Sequence, residues 1–151
     1  MYDNVCKFLA ENFSQDLAYW LLNESVELTV VEPTELQVEP IRADSLIFLE
    51  SSNLILHIEF QTSPSEDIPF RMTDYRLRLH RCFPNKRIYQ VVIYLRKTNS
   101  ALVWQNSFEL PGLKYSYNEI RLWEIPPEEL LSKPGLLPFA VLSQSQDAAK
   151  V

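Results

Sequence analysis

Residues 44–61 read Asp44-Ser45-Leu46-Ile47-Phe48-Leu49-Glu50-Ser51-Ser52-Asn53-Leu54-Ile55-Leu56-His57-Ile58-Glu59-Phe60-Gln61, two β-rich runs separated by the polar turn Ser51-Ser52-Asn53. In the second run, side chains alternate with the period of a strand. Leu54, Leu56, Ile58 and Phe60 fall on one face, and Ile55, His57, Glu59 and Gln61 on the other. One face is apolar and the other carries polar chemistry. Asp44 opens the first strand and Glu59 lies near the end of the second, so a hairpin brings the two carboxylates together. Two convergent carboxylates are the protein share of ligands that a hard cation such as Mg²⁺ takes, with water and phosphate oxygens supplying the rest. Two solvated acids at strand ends are the plainer expectation for the same residues.

Working outward, the 151 residues with 46% apolar content suit one domain, which the reading places at 1–142, followed by a polar tail at 143–151 expected to be disordered. No run of eighteen apolar residues occurs, and the N-terminus lacks the basic start and apolar segment of a secretory signal, so the expected setting is the cytoplasm without membrane attachment. Cys6 and Cys82 are widely separated, and only His57 and His80 are available beside them; neither a zinc site nor a disulfide framework is indicated.

The net charge of −6 hides an uneven distribution: residues 1–67 sum to −11, residues 71–97 to +7 and residues 98–151 to −2. Basic charge thus follows directly on the acidic stretch. A polyanion-gripping surface beside an acidic pocket would use this arrangement, and a solvated helix face would produce it too.

Helical spacing of Val5, Leu9 and Phe13 predicts a first helix over 3–13 with Asp3 as its cap. Ser14 is placed to cap a second helix that ends at Asn23, and strands are predicted over 26–31 and 36–41. After the hairpin, Asp67 is positioned as cap and Pro69 in the first turn of a helix over 68–83. Its apolar stripe is Ile68, Met72, Tyr75, Leu79 and Phe83, and Arg71, Asp74, Arg78 and Arg81 line a neighbouring face. A buried strand over 88–95 follows, then strands over 101–108 and 115–125 about the turn Leu110-Pro111-Gly112, and a short helix over 128–132. Trp104, Tyr115, Tyr117 and Trp123 have the faces needed to stack bases, although packing is the commoner use of aromatics in strands.

Gly112 and Gly135 are the two glycines, and neither sits in a glycine-rich strand-to-helix turn, which removes phosphate-loop and dinucleotide readings. No nucleophile stands in an elbow sequence. His57 shares the face of Glu59, as an accessory contact in a site or as a satisfied structural histidine. Two carboxylates could also serve glycoside hydrolysis, but the neighbouring arginines favour phosphate over a neutral sugar.

Asp44, a strand, a turn and Glu59-Phe60-Gln61 resemble the PD-(D/E)xK nuclease signature with glutamine in place of lysine. Four segments in order, residues 2–8, 43–47, 57–63 and 68–76, are similar to the Rpn family of recombination-promoting nucleases, also called transposase-like proteins. The resemblance implies an α/β fold with an αβββαβ core and a mixed sheet flanked by helices, and an activity of Mg²⁺-dependent DNA phosphodiester hydrolysis, with Mn²⁺ able to substitute. It implies that Asp44 and Glu59 hold the metal, that Gln61 lies beside the attacking water, and that Arg71 and Tyr75 stand beside the site; Arg78, on the basic face of the same helix, joins them as an expected DNA contact. Asp3 and His57 are accessory candidates. Gln61 departs from the pattern, because an amide neither takes a proton nor carries charge, though it can position water. A catalytically inactive DNA-binding module of the same fold is the alternative, and a homodimer through exposed aromatics is a third expectation.

Overall fold

The computed structural model describes residues 2–32 and 46–143. Its centre is β3 (Leu54–Gln61), the middle strand of a five-stranded sheet ordered β1-β2-β3-β4-β7, with β1 (Thr29–Val31), β2 (Leu46–Glu50), β4 (Arg87–Tyr94) and β7 (Asn118–Arg121). β1 and β2, and β2 and β3, pair antiparallel; β3 with β4, and β4 with β7, pair parallel. The sheet is therefore mixed. All eight residues of β3 are buried, the expected state of a central strand covered on both faces.

The two faces of β3 follow the sequence alternation. Leu54, Leu56, Ile58 and Phe60 enter the main core with Cys6, Leu9 and Ala10 of α1 (Tyr2–Asn12), Leu17 and Ala18 of α2 (Ser14–Leu22), Leu130 of α4 (Pro127–Leu131) and Phe139 of α5 (Leu137–Ala140). Phe60 stacks on Phe139 at 5.7 Å between ring centroids, and Phe139 on Trp20 at 6.0 Å. The opposite face is covered by α3 (Ile68–Cys82). Tyr75 and Leu79 pack with Ile55 and Phe48, while Ile68 and Met72 pack on Val92 and Tyr94. The sequence stripe of α3 is thus its buried edge, and α3 is the crossover that two parallel strands require. The chain is an α/β protein with helices on both faces of the sheet.

Several local expectations differ from the structure. The first strand is confined to Thr29–Val31, and the strand expected over 36–41 lies outside the described residues, as does the polar tail beyond 143. α1 begins at Tyr2, so Asp3 falls inside the first turn and is not its cap. Ser14 is the first residue of α2, and its hydroxyl donates to the Leu28 carbonyl at 2.9 Å, tying the helix to the chain that enters β1. Asn23 does end α2, in the left-handed region at φ 55°, with its N–H donating to the Tyr19 carbonyl.

Residues 101–104, expected as strand, form a 3₁₀ turn, and the expected strand over 115–125 is broken in two. β5 (Ser107–Leu110) and β6 (Leu113–Ser116) make a separate two-stranded hairpin about Gly112, whose φ of 81° suits glycine. β7 then returns to the main sheet. α4 ends before Pro134-Gly135, as the proline and glycine there require, and a 3₁₀ turn over Pro134–Leu136 and α5 then follow and dock on α2. Among the described residues, no helix is long and apolar enough to cross a membrane.

Candidate functional site

The polar face of β3 points at α3. In register, Leu46, Glu59 and Val92 sit side by side on β2, β3 and β4, with Glu119 of β7 next in the row; Gln61 pairs with Tyr94, and Tyr94 with Arg121. Parallel strands β3, β4 and β7 all end close to this row, so it lies near the carboxyl ends of the strands, where α/β folds place their ligands.

Glu59 is 1% exposed, and two side chains donate to its carboxylate. Arg71 Nη2 donates to Oε1 in a short ion pair, and Gln61 Nε2 donates to the same oxygen at 3.1 Å. Arg71 Nη1 reaches Asp67 Oδ2 at 3.2 Å. Two atoms of this cluster are buried without a hydrogen-bond partner, Glu59 Oε2 and Arg71 Nε. A buried polar atom left so costs roughly 1–3 kcal/mol, and more when charged, which makes the two atoms a signal for water or a ligand. Burial pushes the Glu59 carboxyl above the usual range, against the opposing pull of Arg71 and Gln61, and the Asp67 charge adds to the rise.

The local sequence explains how these side chains meet. Period-two alternation sets Gln61 beside Glu59 on one face. Asp67 stands at the N-cap position of α3, yet makes no capping bond; its carboxylate is turned to Arg71, one helical turn on. Arg71, on the face beside the apolar stripe, is 8% exposed and reaches across to Glu59 of β3. The helix carries the next residue of its stripe, Tyr75, deeper into the core. Tyr75 packs against the His57 ring at 5.1 Å and against Phe48 at 5.6 Å, and burial followed by the Glu59 charge raises its hydroxyl pKa.

His57 is fully buried beneath Glu59, between Phe48 and Tyr75. Gln90 Nε2 donates both to the Met72 carbonyl at 2.9 Å and to His57 Nδ1 at 2.9 Å, while Gln90 Oε1 accepts from the Tyr115 hydroxyl. The amide orientation makes Nδ1 the acceptor and leaves the ring proton on Nε2, which has no partner. Burial first, and then the Arg71 charge, hold the imidazole neutral, with its pKa pushed down to about 3. His57 therefore belongs to a buried polar network under the site.

Of the residues singled out from sequence, the structure brings Glu59, Gln61 and Arg71 together, with His57 and Tyr75 packed behind them. Arg78 is seven residues further along α3, roughly 10 Å by helical rise, and pairs with Asp74 at 3.2 Å away from Glu59. Asp44 lies outside the described residues, so its approach to Glu59 is not part of this geometry; β2 enters beside Glu59 at Leu46, two positions after it. Asp3 is in the first turn of α1. Among the described residues, no group of three or more His, Cys, Asp or Glu is placed to hold a metal ion.

Asp67 is the site residue that sequence reasoning used only as a cap. Its spacing of four from Arg71 on a helix was a readable sign of an ion pair. Glu119 and Arg121 were also missed. Arg121 Nη1 meets Glu119 Oε1 at 2.9 Å, both side chains are about nine-tenths buried, and Glu119 Oε2 has no partner. Ile68, Met72, Val92, Tyr94, Val103 and Tyr117 form an apolar cluster on this part of the sheet, between the Glu59 and Glu119 positions. No protein-family model, curated protein or solved structure matches the chain.

Proposed function

We propose that the chain is a metal-dependent DNA endonuclease with a PD-(D/E)xK-type core, related to the Rpn nucleases. One observation carries this reading: the Arg71–Glu59 pair leaves one buried carboxylate oxygen, Oε2, and one buried guanidinium donor, Nε, unpaired at the end of the parallel strands. An acceptor for a cation beside a donor for a phosphate is the pairing that phosphodiester hydrolysis uses. The order of helices α1 and α2, strands β1 to β3, helix α3 and strand β4 supports the same core.

The donor set suits a hard divalent cation. Glu59 Oε2 is an anionic oxygen with no other partner, the amide oxygen of Gln61 is a neutral one, and Asp44 is the second carboxylate. Bound there, Mg²⁺ or Mn²⁺ would make water a nucleophile near neutral pH and offset charge on the scissile phosphate. Arg71, fixed by Glu59 and Asp67, presents Nε to a phosphate oxygen. Gln61, held by its bond to Glu59, orients water without exchanging a proton. Tyr75 and His57 wedge the base of the site, so that Arg71 and Glu59 keep their positions.

Plasmid nicking in Mg²⁺ or Mn²⁺ tests the reading. Wild type is expected to nick, with the activity abolished by chelator and by Glu59→Ala; undiminished cleavage in excess chelator would remove the metal mechanism.

The second reading is a DNA-binding module without turnover, favoured by the uncharged Gln61 and by the +7 balance of residues 71–97. It expects no nicking in either metal, together with DNA binding that falls steeply with salt and weakens in Arg71→Ala and Arg78→Ala.

A further inference from the structure

Trp104 is a large apolar side chain left 58% exposed, and what lies behind it is fixed. The Arg121 guanidinium carbon sits 3.5 Å from the centre of its ring. That guanidinium is itself held by Glu119 Oε1 at 2.9 Å, Glu124 Oε2 at 3.1 Å and the Val103 carbonyl at 2.9 Å. The 3₁₀ turn bearing Trp104 is capped by Ser100, whose hydroxyl accepts from the Leu102 N–H at 3.3 Å, and anchored by Val103, which is 1% exposed. An indole mounted in this way has lost most of its freedom before any partner arrives, which lowers the entropic cost of stacking on it.

Its place in the sheet ties it to the candidate site. Arg121 is in register with Tyr94 and Tyr94 with Gln61, on the face that bears Glu59, so two strand spacings, about 10 Å, separate the backbones of Gln61 and Arg121. Exposed Arg96 and Lys97 leave the same end of β4. Phe70, 57% exposed, adjoins Arg71 in sequence and meets Phe108 edge-on at 5.5 Å.

We infer that Trp104 is a stacking platform for an unpaired base, so that the site receives a single-stranded segment of DNA whose backbone is drawn in by Arg96 and Lys97. Stacking needs one free aromatic face, is indifferent to base identity, and is denied to a base inside a duplex. The cationic flank and the common sheet end with Arg71 favour a nucleic-acid strand over a protein partner. This deepens the nuclease reading and rests on it for the identity of the strand.

The test is binding of a short labelled oligo(dT), and of a duplex of equal length, by fluorescence anisotropy in EDTA, where cleavage plays no part. Trp104→Ala is expected to weaken oligo(dT) binding by about tenfold or more. Trp104→Phe should restore most of that loss, and duplex binding should change by less than about threefold. Oligo(dT) binding by Trp104→Ala equal to wild type, or an equal loss for the duplex, would overturn the inference. So would a dimer that Trp104→Ala converts to monomer in sedimentation with oligo(dT) affinity unaltered, since the face would then serve self-association. A wild type that never nicks DNA but shows Trp104-dependent oligo(dT) binding would sink the nuclease reading alone.

Discussion

Arg71 of α3 and Glu59 of β3 form an ion pair across the helix–sheet interface, with side chains only 9% and 2% exposed. Burying two charges is costly, and the mutual attraction offsets that cost only while both partners are present. Arg71→Ala would leave Glu59 buried with Gln61 as its remaining partner, and is expected to destabilise the fold by about 3 kcal/mol. Replacing both, as Glu59→Gln with Arg71→Met, should cost less than the sum of the single changes. A double-mutant cycle by urea unfolding measures this; additive single effects would mean that the pair is not coupled in solution.

His57 gives stability a pH dependence of known sign. Its folded pKa is pushed down to about 3 from an ordinary 6.5, so the unfolded chain takes a proton that the folded chain refuses. The stability contribution is complete above the ordinary value and is lost as pH falls toward the folded one, by about 1.4 kcal/mol per unit. Glu59 acts in the opposite sense, because its raised carboxyl pKa lets the folded form protonate first. Between pH 6.5 and pH 5, wild type is expected to lose about 2 kcal/mol more than His57→Gln, which keeps an acceptor for Gln90. Equal slopes in urea unfolding of the two proteins would assign the dependence elsewhere.

A cation seated at Glu59 Oε2 should stabilise the fold by mass action. At a hundred times its dissociation constant, Mg²⁺ or Mn²⁺ is expected to add about 2.7 kcal/mol, several degrees in a thermal melt. The shift should vanish with chelator and in Glu59→Gln. A Glu59→Gln protein that gains as much as wild type places the cation at another site.

Gly135 marks how tightly the C-terminal segment docks on α2. Its N–H donates to Asp16 Oδ2 at 2.8 Å, and a Cβ there would press on Phe13, 2.7 Å from its Cγ. Gly135→Ala must move either a ring or the backbone, and is expected to destabilise by about 1–3 kcal/mol in a thermal or urea melt. A neutral effect would show that the 3₁₀ turn at 134–136 sits more loosely on Phe13 than the structure has it.

Much of the frame was legible in the chain because it depends on local periodicity. Alternation through residues 54–61 set which side chains share a face, and the spacing of Ile68, Met72, Tyr75 and Leu79 set the buried edge of α3. Glu59 and Gln61 could be singled out for the same reason. The segment at 101–125 misled, since alternating apolar residues satisfy a 3₁₀ turn, a detached hairpin and a returning strand equally well until the sheet offers an edge to pair with.

The sequence by itself determined an α/β chain with a strand of alternating apolar and polar faces, an acid near the end of that strand and an amphipathic helix after it. Only the tertiary structure decided that Arg71 turns inward to Glu59, that His57 is buried against Gln90, and that Arg121 backs Trp104. The division has a physical cause. Backbone periodicity is set over one or two turns or a few strand residues, whereas the partner of a long charged side chain depends on which groups from distant segments are desolvated beside it.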